Sequence, residues 1–202
     1  MADNHPKIIL ASSSAARKMM LDNVGLPYTA KPAYINERAI INDGLDNEDS
    51  IQDITALLAQ QKALHVAKDN TKALVIGSDQ TLEFEGQVLS KAENADEATE
   101  KLRALRGKTH FLHSAVSVVR GADILFTHTE TAQLTMHDFD EAFLESYITR
   151  ESDALVSCVG GYKIEGAGAW LFSSITGDNF TIMGMPLLAL LGFLNQEFGF
   201  KL

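Results

Sequence analysis

Strand-like and helix-like segments alternate along this chain, but two hairpins interrupt the alternation, and this pattern narrows the fold more than any other feature. Apolar runs at 7–11, 73–78 and 170–175 read as buried strands, while 15–23, 50–68, 94–105, 140–149 and 186–198 carry helical spacing. In the longest of these helices Ile51, Ile54, Leu57, Leu58 and Leu64 recur near a 3.6-residue period. Residues 82–84 and 88–89 turn around Glu85-Gly86, and the β-rich runs 109–119 and 124–136 turn around Arg120-Gly121-Ala122-Asp123. Strand–helix–strand units favour parallel pairing and hairpins require antiparallel pairing, so the expected fold is α/β with a mixed, twisted sheet and flanking helices. No internal repeat or low-complexity linker divides the chain, and 1–202 reads as one domain.

At 202 residues the chain can bury one substantial core or build one domain with two lobes. Its net charge of −10 argues against sequence-independent binding to a nucleic acid polymer or an anionic membrane, both of which favour basic surfaces. A local pocket of Lys and Arg can still take a phosphorylated small molecule. Cys158 is the single cysteine, which rules out an intramolecular disulfide and points to a reducing compartment. The apolar run 7–11 is far too short for a signal sequence, and 182–194 is too short to span a bilayer, so the expected location is cytoplasmic.

Several groups of residues can carry chemistry. The run 73–76 delivers Asp79 at its exit, where a carboxylate serves as a general base, as a metal ligand, or simply as the organiser of a turn. Between the first strand and helix stand Ser12, Ser13 and Ser14, followed by Arg17. Hydroxyls and free backbone N–H groups at a helix N-terminus form an anion site, and the same serines also suit an ordinary cap. Glu37, Lys62 and Lys91 complete a scatter of acids and bases of the kind phosphoanhydride chemistry uses: acids for a divalent cation, lysines for phosphate oxygens. Their spacing alone does not bring them together. The glycine-rich segment 157–168 either lets backbone approach a ligand around Lys163 and Glu165 or forms a plain turn cluster. The six histidines carry no metal-binding signature, and His110 and His113, on opposite strand faces, read as structural.

Six ordered blocks resemble the Maf-like family of nucleoside triphosphate pyrophosphatases. They are Ile9-Leu10-Ala11-Ser12-Ser13-Ser14-Ala15-Ala16-Arg17-Lys18, Ile76-Gly77-Ser78-Asp79-Gln80, Leu89-Ser90-Lys91, Leu105-Arg106-Gly107-Lys108-Thr109-His110, Gly161-Tyr162-Lys163-Ile164-Glu165-Gly166 and Met183-Gly184-Met185-Pro186-Leu187. The resemblance implies a Maf/ITPase-like fold, with two lobes around a central nucleotide cleft. It also implies hydrolysis of a nucleoside triphosphate between the α and β phosphates, with a divalent cation (Mg²⁺, Mn²⁺ or Co²⁺) and a homodimeric assembly. By the same resemblance Asp79 is the general base and, with Glu37, a metal ligand. Ser12, Ser14, Arg17, Lys62 and Lys91 fall on phosphate-binding positions.

Base selection falls on Ala16, Gln80 and Glu165 by the same resemblance. Gln80 and Glu165 are similar to the branch acting on 7-methyl-GTP, whereas the dTTP/UTP branch has Thr and Gln there. Two residues depart from the family pattern: Ala15 replaces the signature Pro, and Ala16 replaces a Trp or Arg. A nucleotide-binding regulator of cell division that does not turn its ligand over is the alternative from outside the enzyme class.

Overall fold

The structure, a computed structural model, describes residues 5–201. Seven strands form one mixed sheet: β1 (Ile8–Leu10), β2 (Thr29–Ala30), β3 (Leu74–Phe84), β4 (Gln87–Leu89), β5 (Thr109–Arg120), β6 (Asp123–Met136) and β7 (Phe172–Thr176). Their order is β2-β1-β3-β5-β6-β7, with β4 beside β3. β1 pairs in parallel with β2 and β3, whereas β3–β4 and β6–β7 are antiparallel. The helices are α1 (Ala15–Asn23), α2 (Glu37–Asp46), α3 (Ile51–Ala67), α4 (Ala95–Leu105), α5 (Glu141–Arg150), α6 (Ser152–Ser157), α7 (Asn179–Ile182) and α8 (Leu187–Phe198). No helix among the described residues is long and apolar enough to cross a membrane.

The chain divides into two compact units. The first comprises residues up to Gln80, Ser114–Glu130 and everything from Gly184 onward. One of its buried clusters gathers Ile9 and Ala11 of the first strand segment, Val75 of β3, Val119 of β5, and Ala63, Val66 and Ala67 of α3. The second comprises Thr81–His113 and Thr131–Met183. Its core joins Leu82, Leu112, Leu134 and Met136 of the sheet to Leu102, Leu105, Leu144, Tyr147 and Tyr162.

Two strand boundaries differ from the expectations, and two further segments add local detail. β3 does not stop at Ser78. It runs unbroken from Leu74 to Phe84, so Asp79 sits in mid-strand and not at a strand exit. Residues 43–46 belong to α2, whose N-cap Asn36 accepts a hydrogen bond from the Ala39 N–H. A Cβ at Gly44 would lie 2.6 Å from Ile54 Cγ1, so this glycine lets α2 lie close on α3. Ala167–Leu171 is a 3₁₀ turn, and the strand expected from Trp170 begins at Phe172. The glycine-rich segment packs on itself: Cβ atoms at Gly160 and Gly168 would fall 2.2 Å from the Tyr162 ring and 2.4 Å from the Lys163 carbonyl.

In the second unit His110 is fully buried, with Nε2 2.7 Å from the Tyr162 hydroxyl and its ring against Phe172. Burial pushes its imidazole down to about 4. An unfolded histidine titrates near 6.5, so as pH falls the unfolded chain takes up the proton first. The stability contributed by neutral His110 is therefore complete above pH 6.5 and is lost as pH falls from there toward 4. The loss amounts to about 3 kcal/mol at the bottom of that window. Urea unfolding of wild type and His110→Gln across this window should show a steeper decline in the wild type.

Candidate active site

The buried stripe of α3 explains how the site is assembled. Ile51, Ile54, Thr55, Leu58, Ala59, Lys62, Ala63, Val66 and Ala67 line one face, so Lys62 sits within the apolar stripe and not on the solvent side. The helix is started by Ser50, whose hydroxyl accepts from the Asp53 N–H at 3.1 Å and donates to the Asp53 carboxylate at 2.6 Å. On the facing strand, Gly77 and Asp79 are two residues apart and share one side of β3. A Cβ at Gly77 would lie 2.1 Å from the Ala59 carbonyl oxygen and 2.9 Å from the Ala63 Cβ. The missing side chain at 77 and the small ones at 59 and 63 bring helix and strand backbones together. That approach carries the Lys62 ammonium to Asp79.

Lys62 Nζ donates to Asp79 Oδ1 and also lies 2.8 Å from Glu37 Oε1. Lys62 and Asp79 are buried, while the Glu37 side chain, on the first residue of α2, is half exposed. Arg17 adds a second cation. Its Nε donates to the Gly184 carbonyl at 2.8 Å and one terminal nitrogen to Ser12 Oγ at 3.3 Å. Ser78 donates to the same Gly184 carbonyl at 3.0 Å. Gly184 holds this position with φ of +105°, a region that L side chains rarely adopt. Ser14 caps α1 by accepting from the Arg17 N–H, and its own N–H donates to Ser12 Oγ at 3.1 Å.

Two carboxylates and two cations thus balance in charge, but not in solvation. Burial raises the Asp79 pKa above the usual carboxylate range; Lys62 and Arg17 oppose that shift and Glu37 adds to it. Burial likewise lowers the Arg17 pKa against the pull of Asp79 and Glu37, and the guanidinium remains a cation.

Ser12, Ser14, Arg17, Glu37, Lys62, Asp79 and Gln80 all belong to the first unit. Ala16, half-buried, lies in the first turn of α1. Gln80 donates its side-chain amide to Ser114 Oγ at 3.0 Å. Lys91 and Glu165 belong to the second unit, Lys91 just beyond β4 and Glu165 just before the 3₁₀ turn, and both are exposed. Gly184, Ser78 and Ser114 are positioning residues to which no sequence motif assigned a role. Ser78 and Gly184 stand within the ordered blocks, and Gly184 has a signal of its own, a glycine directly before a Met-Pro helix start.

The donor set fits a hard cation. Glu37 and Asp79 direct two carboxylate groups at one point, as oxygen-preferring divalent ions require. Among the described residues there is no cluster of three or more His, Cys, Asp or Glu for a closed protein cage. A Mg²⁺-type ion held by one or two carboxylates takes its remaining ligands from water and substrate phosphates.

Because the site depends on the closeness of α3 and β3, Gly77→Ala should be costly. The added methyl meets backbone, which cannot rotate away, and stability should fall by about 3 kcal/mol. Urea denaturation measures this, with an unchanged m-value showing that the denatured state is not the cause.

The chain matches the model of the Maf-like protein family over residues 7–197. A nucleoside triphosphate pyrophosphatase of Rhodopseudomonas palustris strain BisB18 is 44% identical over 94% of this chain and 93% of that protein. Proteins named 7-methyl-GTP pyrophosphatase from Brucella abortus and Rhizobium etli are 40% and 43% identical, each over 95% of this chain and 96% of theirs. Among solved structures, a HAM1 protein from Coxiella burnetii aligns with a TM-score of 0.43 at 15% identity, covering 66% of this chain and 74% of that one. With the family model spanning almost its whole length and relatives above 40% identity, this chain belongs to the Maf-like protein family.

Proposed function

We propose that this chain is a nucleoside triphosphate pyrophosphatase that cleaves the α–β phosphoanhydride, releasing a monophosphate and pyrophosphate, and that it prefers a 7-methyl-GTP-like nucleotide. The observation that carries the reaction is the buried Asp79, paired with Lys62, which also meets Glu37, and acted on by the charge of Arg17. In the reaction a water oxygen bonds to the α phosphorus and the bridging P–O bond breaks. The electron pair leaves on pyrophosphate and the water's proton passes to Asp79. A buried carboxylate with a raised pKa is a better proton acceptor than an exposed one.

Arg17, locked by Gly184 and Ser12, supplies a fixed positive charge for the phosphates without reorganising during the reaction. Ser12 and Ser14 place hydroxyl groups beside the N-terminus of α1, whose free N–H groups and dipole favour an anion. Lys62 is the second cation for phosphate oxygens. Glu37 and Asp79 would hold a divalent cation, which when bound would supply charge neutralisation on the triphosphate and a more acidic water.

The base preference rests on other grounds. Gln80 and Glu165 match the 7-methyl-GTP branch, and two relatives above carry that substrate in their names. A carboxylate at 165 is the physically sensible partner for the cationic ring of 7-methylguanine. The roles of Lys91 and Glu165 and a homodimeric assembly rest on resemblance to the family, and a cytoplasmic location rests on the single cysteine and the short apolar runs.

Pyrophosphate release measured on 7-methyl-GTP, GTP, dTTP and UTP with Mg²⁺, Mn²⁺ and Co²⁺ tests both levels. The methylated nucleotide should give the highest kcat/KM, and Glu165→Gln should erode that preference; faster turnover of dTTP or UTP by wild type refutes the base assignment. Asp79→Asn should lose about 10²–10⁴-fold in kcat while still binding nucleotide. A wild type that binds nucleotide and metal yet releases no pyrophosphate would instead be a regulator.

A further inference from the structure

The Lys62 ammonium occupies the point on which both proposed cation ligands converge. One oxygen of Glu37 lies 2.8 Å from Nζ, and an oxygen of Asp79 accepts a hydrogen bond from the same nitrogen. A divalent ion bonded to both carboxylates takes its ligands at roughly 2.0–2.6 Å. An ion bonded to these same two oxygens would therefore stand where Nζ stands, and two cations cannot share that place. Charge leads to the same conclusion. Asp79, Glu37, Lys62 and Arg17 sum to zero around a largely buried site, so a bare divalent ion adds uncompensated positive charge. A triphosphate entering with the ion reverses that balance and offers Lys62 new anionic partners. The four-methylene stem of lysine lets Nζ move to a phosphate oxygen while the α3 backbone stays in place.

We infer that Lys62 is an internal cation competing with the metal for Glu37 and Asp79, so that the divalent ion loads together with the triphosphate and not before it. The inference rests on the reading of these two carboxylates as the cation's ligands. Lys62 is here a positioning residue as well as a phosphate contact. It holds the two acids together until the substrate draws it away.

Titration calorimetry with Mn²⁺ reads this directly, independent of turnover. Lys62→Met and Lys62→Gln should bind Mn²⁺ alone about tenfold or more tighter than wild type. In wild type, Mn²⁺ should bind about tenfold or more tighter with the α,β-methylene analogue of GTP than without it, after correction for the ion held by free analogue. Variants that bind Mn²⁺ no tighter than wild type overturn the inference. So does a wild type that binds the ion equally well with and without the analogue, an arm that requires no variant to fold. Failure of the proposed activity is separable: mutual reinforcement of ion and analogue without pyrophosphate release from the hydrolysable nucleotide leaves the inference standing and removes the enzyme.

Discussion

The contact between the Lys62 ammonium and the Asp79 carboxylate governs the site. Both groups are buried, and neither would be tolerated there alone, because an unpaired charge in a water-poor environment is far costlier than a paired one. Their meeting is a consequence of backbone packing. Gly77, facing Ala59 and Ala63, removes the side-chain thickness that ordinarily separates a helix from a sheet. A side chain of ordinary reach then spans the gap from α3 to the middle of β3.

Around this pair the molecule adds restraints that owe little to long-range electrostatics. Asn36 begins α2 and thereby presents Glu37 on its first turn, where a negative charge suits the helix dipole. Gly184, far along the chain, turns one backbone carbonyl toward both Arg17 and Ser78. Each restraint spends a donor on a fixed acceptor, so the polar groups that remain are oriented before any ligand arrives. Preorganisation of this kind suits phosphoryl chemistry, in which the protein's main contributions are placement and charge.

Much of the site was legible in the residues. The serine run before a helix, the acid beyond a buried apolar run and the ordered blocks pointed to the residues that the first unit gathers around Asp79 and to the family. Lys62 carried a further signal: it lies four residues beyond Leu58 and eight beyond Ile54, in register with the buried stripe, where an unpaired lysine has no place. The reading of Asp79 as a strand-exit residue missed because Gly77-Ser78 looks like punctuation. In β3 the glycine serves a close approach and the serine a hydrogen bond to Gly184, so the strand continues. In the glycine-rich segment, Gly160 and Gly168 accommodate Tyr162 and Lys163 of their own loop.

The residues alone determined the alternation of strands and helices, the two hairpins, the mixed sheet and the family, because periodicity, turn chemistry and ordered motifs are written locally along a chain. Which cation meets which acid was settled only in three dimensions. Glu37, Lys62 and Asp79 stand on three elements, and side-chain types carry no record of the distance between backbones. That distance followed from a glycine and two alanines, whose part is visible only once helix and strand are laid against each other.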